Sequence, residues 1–164
     1  DDGVRLYLDP APPDRVPLAT LRAAEAVTPD RAEAAALTGR VDSSQVWPAL
    51  AAADLRALGA SCAIVKTGAS GAVLAVDRDV VGVPTLAVEA VDETGAGDVF
   101  LAALAVRRCE GAGWEEAVRF ANAASAISVS APGLSLPART QVDAATATLT
   151  TPATPLLQRG SRCV

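Results

Sequence analysis

At residues 91–100 the chain reads Val91-Asp92-Glu93-Thr94-Gly95-Ala96-Gly97-Asp98-Val99-Phe100. A run of small residues ends in one carboxylate and opens directly into a long helical pattern. The first N–H groups of a helix lack intrahelical partners, and the helix dipole adds positive potential there. Glycine and alanine leave that backbone uncovered, so an anion can approach it closely. A carboxylate in the same turn stands beside such an anion, placed to accept a proton from an attacking hydroxyl. Alone, the block also suits an ordinary strand-to-helix turn in which Asp98 only complements the dipole. Both readings require a loop that leads from a strand into a helix, which restricts the fold before composition is considered.

The rest of the chain supplies that context. Strand patterns fall at Val4–Leu8, Ala26–Thr28 and Cys62–Val65, and a hairpin is expected from Ala72–Val76 and Val80–Val83 around Asp77-Arg78-Asp79. Helical patterns fall at Leu18–Ala26, Asp30–Leu37, a third segment running to Leu58, Ala96–Glu110, Trp114–Ile127 and Arg139–Leu149. Ser43 or Ser44 is the expected cap of the third, although Pro48 places its regular part later, and Gly59 is its end. Alternation of this kind predicts an α/β fold with a mostly parallel sheet flanked by helices. In such sheets ligands collect at the carboxyl ends of the strands, where the glycine block also lies. Residues 1–149 read as one domain. Thr150–Val164, rich in Thr, Pro and Arg and without a period, reads as a disordered tail.

Composition removes several classes of chemistry. Half of the 164 residues are hydrophobic, but only two Trp, one Tyr and two Phe are aromatic, so the core must be built from small and branched side chains. A net charge of −5 argues against nucleic acid as a main partner. No apolar run approaches the ~20 residues that span a bilayer, and the first residues do not read as a signal peptide. A cytoplasmic protein is expected. Cys62, Cys109 and Cys163 form no C-x-x-C motif; Cys62 and Cys109 are expected as buried or half-buried thiols. The absence of histidine removes Ser-His-Asp and Cys-His catalysis and histidine metal sites. The absence of methionine gives the expectation that residue 1 is not an original start.

Thr94-Gly95-Ala96-Gly97-Asp98, with Phe100, Ala102 and Ala103, resembles the T-G-A-G-D-x-F signature of the ribokinase-like (PfkB) sugar kinases. Glu93 departs from it, standing where that family usually has a small or hydroxylated residue. The resemblance runs from about Val4 to Ala144, with further motifs in the expected order. Asp9-Pro10-Ala11-Pro12 resembles a D-P-A/N segment after a strand, and alone reads as an exit turn. Thr28-Pro29-Asp30-Arg31-Ala32-Glu33 resembles T-P-N-x-x-E, with Asp30 in place of Asn. Asp30 and Glu33 share a helix face, which suits solvated surface or the oxygen ligands of a hydrated hard cation. Lys66-Thr67-Gly68-Ala69-Ser70-Gly71 resembles the family's nucleotide loop, although such a glycine pair alone also suits a hairpin turn. Phe120-Ala121-Asn122-Ala123-Ala124 resembles a segment whose Asn lies beside adenine. Asp92, Thr94, Ser128, Ala131 and Gly133 match positions that surround an activating potassium ion, largely through backbone carbonyls.

The resemblance implies the C-terminal part of a ribokinase-like fold that transfers the γ-phosphoryl group of ATP to a hydroxyl of a sugar or related small molecule. It implies Asp98 as general base, the Gly95, Ala96 and Gly97 amides as anion hole, and nucleotide contacts from Asp30, Lys66, Gly68, Gly71 and Asn122. It implies Glu33 acting on Mg2+ through water, and K+ at the 92–94 and 128–133 positions. The family's sugar-binding half lies mainly N-terminal to these segments. A fragment is therefore expected, whose open sheet edge would favour a homodimer. The alternatives are a non-catalytic nucleotide- or anion-binding module derived from such a kinase, or a purely structural α/β domain.

Overall fold

A computed structural model describes residues 3–40 and 44–157. The chain divides into two compact units, the first comprising Asp1–Thr67, Val73–Gly82 and Thr154–Val164, the second Gly68–Ala72 and Val83–Ala153.

Sheet and crossover helices make up the first unit. Its order is β1 (Tyr7–Leu8), α1 (Leu18–Ala23), β2 (Ala26–Val27), α2 (Arg31–Thr38), α3 (Trp47–Ala57), β3 (Cys62–Lys66), β4 (Ala72–Val76), β5 (Asp79–Val83) and β6 (Thr154–Leu157). Strands lie in the sheet in chain order. β1, β2 and β3 are parallel, with Tyr7 opposite Ala26, Leu8 opposite Val27, and Val27 opposite Ala63. The links from β3 to β4 and from β4 to β5 are too short for a parallel crossover, which needs a dozen or more residues. β5 and β6 are antiparallel. The sheet is therefore mixed, parallel over its first three strands, and the fold is α/β as expected.

Local sequence explains the helix ends. Asp30 caps α2, Gly39 closes it at φ 67°, and Pro48 stands in the first turn of α3, where a missing N–H costs nothing. α3 buries Trp47, Ala49, Ala51, Ala52 and Leu55, and the cluster continues through Val27, Ala63, Val65, Val73 and Ala75. Alanine on the inner face of α3 leaves room for its close approach to β3.

The departures are local. The expected strand Val4–Leu8 is paired only at Tyr7–Leu8. α3 starts later than Ser44: Val46 is its N-cap and no side chain caps it; Ser43 lies outside the described residues. The hairpin turn is narrower than expected, because Asp79 already belongs to β5 and Asp77 takes φ 52°. Cys62 is buried as expected, Cys109 is exposed at the end of a helix, and Cys163 lies outside the described residues. Thr154–Leu157, expected to be disordered with the rest of 150–164, is the edge strand β6. Its Pro155 and lack of apolar alternation hid it, and both are tolerated at an edge.

Three helices form the second unit: α4 (Ala96–Cys109), α5 (Trp114–Val129) and α6 (Arg139–Thr148). Val99, Phe120, Ala123, Ala124 and Val142 make its core. Over Phe120 lie two guanidinium groups, Arg139 at 5.0 Å and Arg107 at 5.8 Å from the ring centroid. Both are tied to Glu110, by Arg107 at 2.8 Å and by Arg139 at 2.6 and 3.0 Å; Arg107 also bonds Glu116. Hydrogen bonds from Arg139 and then Arg107 hold the Glu110 carboxyl down at about 2.

Two predictions follow from these contacts. Glu110 is bound in its charged form, so its contribution is complete above the ordinary value of 4.5 and disappears as pH falls toward about 2. The stability deficit of Glu110→Gln, read from denaturant midpoints, should be largest at neutral pH and vanish at the acid end of that window. Gly71 sits at φ 87°, and a Cβ there would lie 2.2 Å from the Val83 carbonyl oxygen. Gly71→Ala should lower stability by about 1–3 kcal/mol from the backbone conformation alone, with the clash added; an unchanged melting temperature would contradict that approach.

Candidate active site

The glycine block forms the entry to α4. Gly95 is the N-cap at φ 74°, with no side-chain cap on the helix. Ala96 N–H donates to Glu93 O at 3.2 Å, and Val99 N–H makes the first full helical bond, to Gly95 O at 2.9 Å. Between them, the N–H groups of Gly97 and Asp98 have no hydrogen-bond partner among the described residues. A Cβ on Gly95 would meet only the end of the exposed Leu134 side chain, which can move aside, so it is the left-handed φ that favours glycine in this turn. Asp98 is exposed and its carboxylate is likewise without a partner among the described residues. Two open donors beside an open carboxylate suit a bound anion with a proton acceptor at its side.

Two neighbouring loops fix this turn. Asp92 Oδ1 accepts from Thr94 N–H at 2.9 Å and its Oδ2 from Gly133 N–H at 2.9 Å. A hydrogen bond from the Thr94 side chain, then those from the Thr94 and Gly133 N–H groups, hold the Asp92 carboxyl below its ordinary value. Val91 and Asp92 N–H both donate to Val129 O, at 2.7 and 3.1 Å, and Ser125 Oγ donates to Ala96 O at 3.1 Å. Asp92, Thr94 and Gly133 are thus brought together. Ser128, one residue before Val129, is buried with its hydroxyl donating to Ser125 O at 2.9 Å. Ala131 lies in the bend after α5. Glu93 is exposed.

In the same unit, Gly68–Ser70 forms a single 3-10 turn that Gly71 N–H closes onto Gly68 O at 2.9 Å. Asn122 is buried, and its Nδ2 donates to Val83 O at 3.0 Å and Pro84 O at 3.1 Å. Both of its N–H donors hold Val83 and Pro84, residues of the same unit, against α5. Nothing in its sequence neighbourhood announced this; only an amide in an otherwise apolar helix face marked the position.

The remaining positions belong to the first unit. Asp30 and Glu33 form a reciprocal capping box: Asp30 Oδ1 accepts from Glu33 N–H at 2.8 Å, and Glu33 Oε2 accepts from Asp30 N–H at 2.7 Å. A D-x-x-E spacing before an apolar run is itself the signal for such a box, a reading that the pairing of two carboxylates obscured. Burial raises the Glu33 carboxyl above its ordinary value; the Asp30 N–H opposes this, and the charges of Asp9 and Asp30 add to it. Lys66 is not an open cation: its Nζ donates to Asp9 Oδ2 at 2.7 Å, with both side chains 17% exposed. Asp9, read as an exit-turn residue, is thus a partner that its sequence neighbourhood did not disclose. Among the described residues no three His, Cys, Asp or Glu side chains are grouped to hold a metal ion, so a divalent cation would have to draw most of its oxygens from phosphate and water.

A model of the pfkB family of carbohydrate kinases matches residues 1–141. The chain belongs to that family. Among its pfkB relatives, ribokinase of Bacillus subtilis (strain 168) is 34% identical over 142 residues, covering 85% of this chain and 45% of the ribokinase. Arabidopsis thaliana ribokinase, solved in complex with ribose and ATP, superposes with a TM-score of 0.77 at 31% identity over 88% of this chain and 48% of its own. Escherichia coli phosphofructokinase-2, solved in complex with potassium, gives a TM-score of 0.79 at 27% identity, covering 91% and 48%. This pfkB chain therefore spans less than half the length of each of these relatives.

Gly95→Ala tests the cradle's construction. The left-handed φ should make the substitution destabilising by about 1–3 kcal/mol, read by thermal unfolding, and should weaken binding of any anion at α4 by more than that of an uncharged ligand.

Proposed function

We propose that this chain carries the nucleotide-binding and phosphoryl-transferring part of an ATP-dependent kinase acting on a hydroxyl of a sugar or related small molecule. The observation that carries the reading is the pair of N–H groups at Gly97 and Asp98 beside the Asp98 carboxylate, all three without a partner among the described residues. Asp98 accepts the proton of the acceptor hydroxyl as it attacks, a role worth about 10²–10⁴-fold. The open N–H groups of Gly97 and Asp98 face the charge that builds on the transferring group and need no reorganisation to do so, whereas the Ala96 N–H, an expected member of the anion hole, is held by Glu93 O. Gly68 and Gly71, with Asn122 behind them, shape a nucleotide wall, and Lys66 offers the donors that Asp9 leaves free. When bound, magnesium would neutralise phosphate charge, with Glu33 acting through water. A potassium ion would sit beside Asp92, whose hydrogen bonds to Thr94 and Gly133 favour its charged form, with Thr94, Ser128, Ala131 and Gly133 as the other candidate positions. A cytoplasmic location belongs to the same reading, as does pairing of copies through a sheet edge.

The resemblance matches the phosphate end of the site more than the surface that selects the acceptor, so the sugar's identity is left open. A second reading, a nucleotide- or anion-binding module without transfer activity, is favoured by one set of contacts. Asp30 and Glu33 are committed to capping α2, and Lys66 to Asp9.

Asp98→Asn separates the two readings. Under the kinase reading, coupled ADP release across a sugar panel should fall by about 10²–10⁴-fold in the variant, while ATP binding by titration calorimetry persists. Undiminished turnover in Asp98→Asn would remove the general-base assignment. ATP binding without turnover of any acceptor in the parent would favour the module.

A further inference from the structure

The Asp9–Lys66 pair is not accounted for by the fold alone. β1 and β3 are separated in the sheet by β2, yet the residue after β1 reaches the last residue of β3 at 2.7 Å. Backbone bonds bring their bases level: Thr28 N–H donates to Leu8 O at 2.9 Å and Lys66 N–H to Pro29 O at 2.8 Å. Both side chains are largely enclosed, and an enclosed ion pair is weak evidence for stability, because desolvation offsets the attraction. Asp9 Oδ1 is buried and accepts no hydrogen bond among the described residues. The carboxylate therefore serves the lysine and none of the surrounding backbone. A lysine ammonium has three donors; one is directed at Asp9, and the other two remain at the carboxyl edge of the parallel strands, where ligands of such sheets collect.

We infer that Asp9 is a positioning residue for Lys66: it fixes the ammonium at that edge so that its remaining donors meet a phosphate of the nucleotide. The inference rests on the nucleotide-binding reading above and adds to it a residue that none of the motif roles covers. Lysine has a flexible four-carbon stem. Without an anchor, its donors would be spread over many rotamers and each phosphate contact would have to restrict them anew. An acceptor oxygen at position 9 is what matters for the anchor, so asparagine should partly replace aspartate and alanine should not.

Titration calorimetry of the chain with ATP and with adenosine tests this. Asp9→Ala should weaken ATP by about tenfold, the scale of one charge-assisted hydrogen bond, and leave adenosine unchanged. Asp9→Asn should lose less. The double variant Asp9→Ala/Lys66→Ala should bind ATP no more weakly than Lys66→Ala, since the two residues act as one unit. ATP binding by Asp9→Ala as tight as the parent's, or tighter, would overturn the inference, the latter because Asp9 would then be only a competing charge. Equal losses for ATP and adenosine would assign Asp9 to the fold and overturn it too. Should Asp9→Ala fail to fold, Asp9→Asn decides: a loss confined to ATP supports positioning, and no loss overturns it. A parent chain that binds no ATP overturns the function reading and this inference together, whereas a binding parent with an indifferent Asp9 overturns this inference alone.

Discussion

The parallel half of the sheet is held by very few residues. β1 and β2 contain two residues each, so the backbone bonds just beyond them matter as much as the ladder itself. Glu25 N–H to Leu6 O at 2.7 Å, Thr28 N–H to Leu8 O and Lys66 N–H to Pro29 O extend the pairing into the loops. Buried Thr28 adds its hydroxyl to the same Leu8 carbonyl at 3.4 Å. This pairing levels the strand exits, and the levelled exits bring together the charged groups of the first unit: Asp9, Asp30, Glu33 and Lys66. Proline at positions 10 and 29 suits exits of this kind, where the chain must leave the ladder without continuing it.

Polar groups in this protein divide according to whether the fold has already used them. Asp30, Glu33, Asp92 and Asn122 are engaged with backbone groups of neighbouring turns. Gly97 N–H, Asp98 N–H and the Asp98 side chain are not. Open backbone donors at a helix start are common and are ordinarily satisfied by water. A glycine N-cap without a capping side chain also opens α5, at Gly113; what sets the α4 start apart is the left-handed φ of Gly95, 74°. The Asp92 links to Thr94 and Gly133 hold the same turn.

Much of this was legible in the residues, and the rest was hidden for physical reasons. Cys62–Val65 is apolar and ends in β-branched Ile64 and Val65, bounded by turn residues, and it lies in the strand Cys62–Lys66. The α4 entry could be read because glycine and a first-turn carboxylate each have a local meaning. Side-chain roles that depend on partners far along the chain could not be read. Asp9 and Lys66 are separated by 57 positions and Asn122 and Val83 by 39, and neither pair carries a local signature. The capping box shows the opposite case, in which a local signal was present but two carboxylates three apart also suggest a cation. β6 escaped notice because an edge strand needs only one neighbour and tolerates proline.

Asn122 carries an implication for what can stand at that place in α5. Its amide nitrogen meets two carbonyls, and no other side chain of that size offers two donors in one plane. Leucine would fill the volume and leave both carbonyls without partners in a dry setting, while aspartate would keep the outline and turn oxygen toward oxygen. Position 122 therefore specifies a direction of hydrogen bonding, independent of shape. Thr85 Oγ1 adds a bond to the Asn122 backbone carbonyl oxygen at 3.2 Å. At Val83 and Pro84, however, the attachment depends on the polarity of one amide, and a change of one heavy atom, nitrogen to oxygen, would turn it into repulsion.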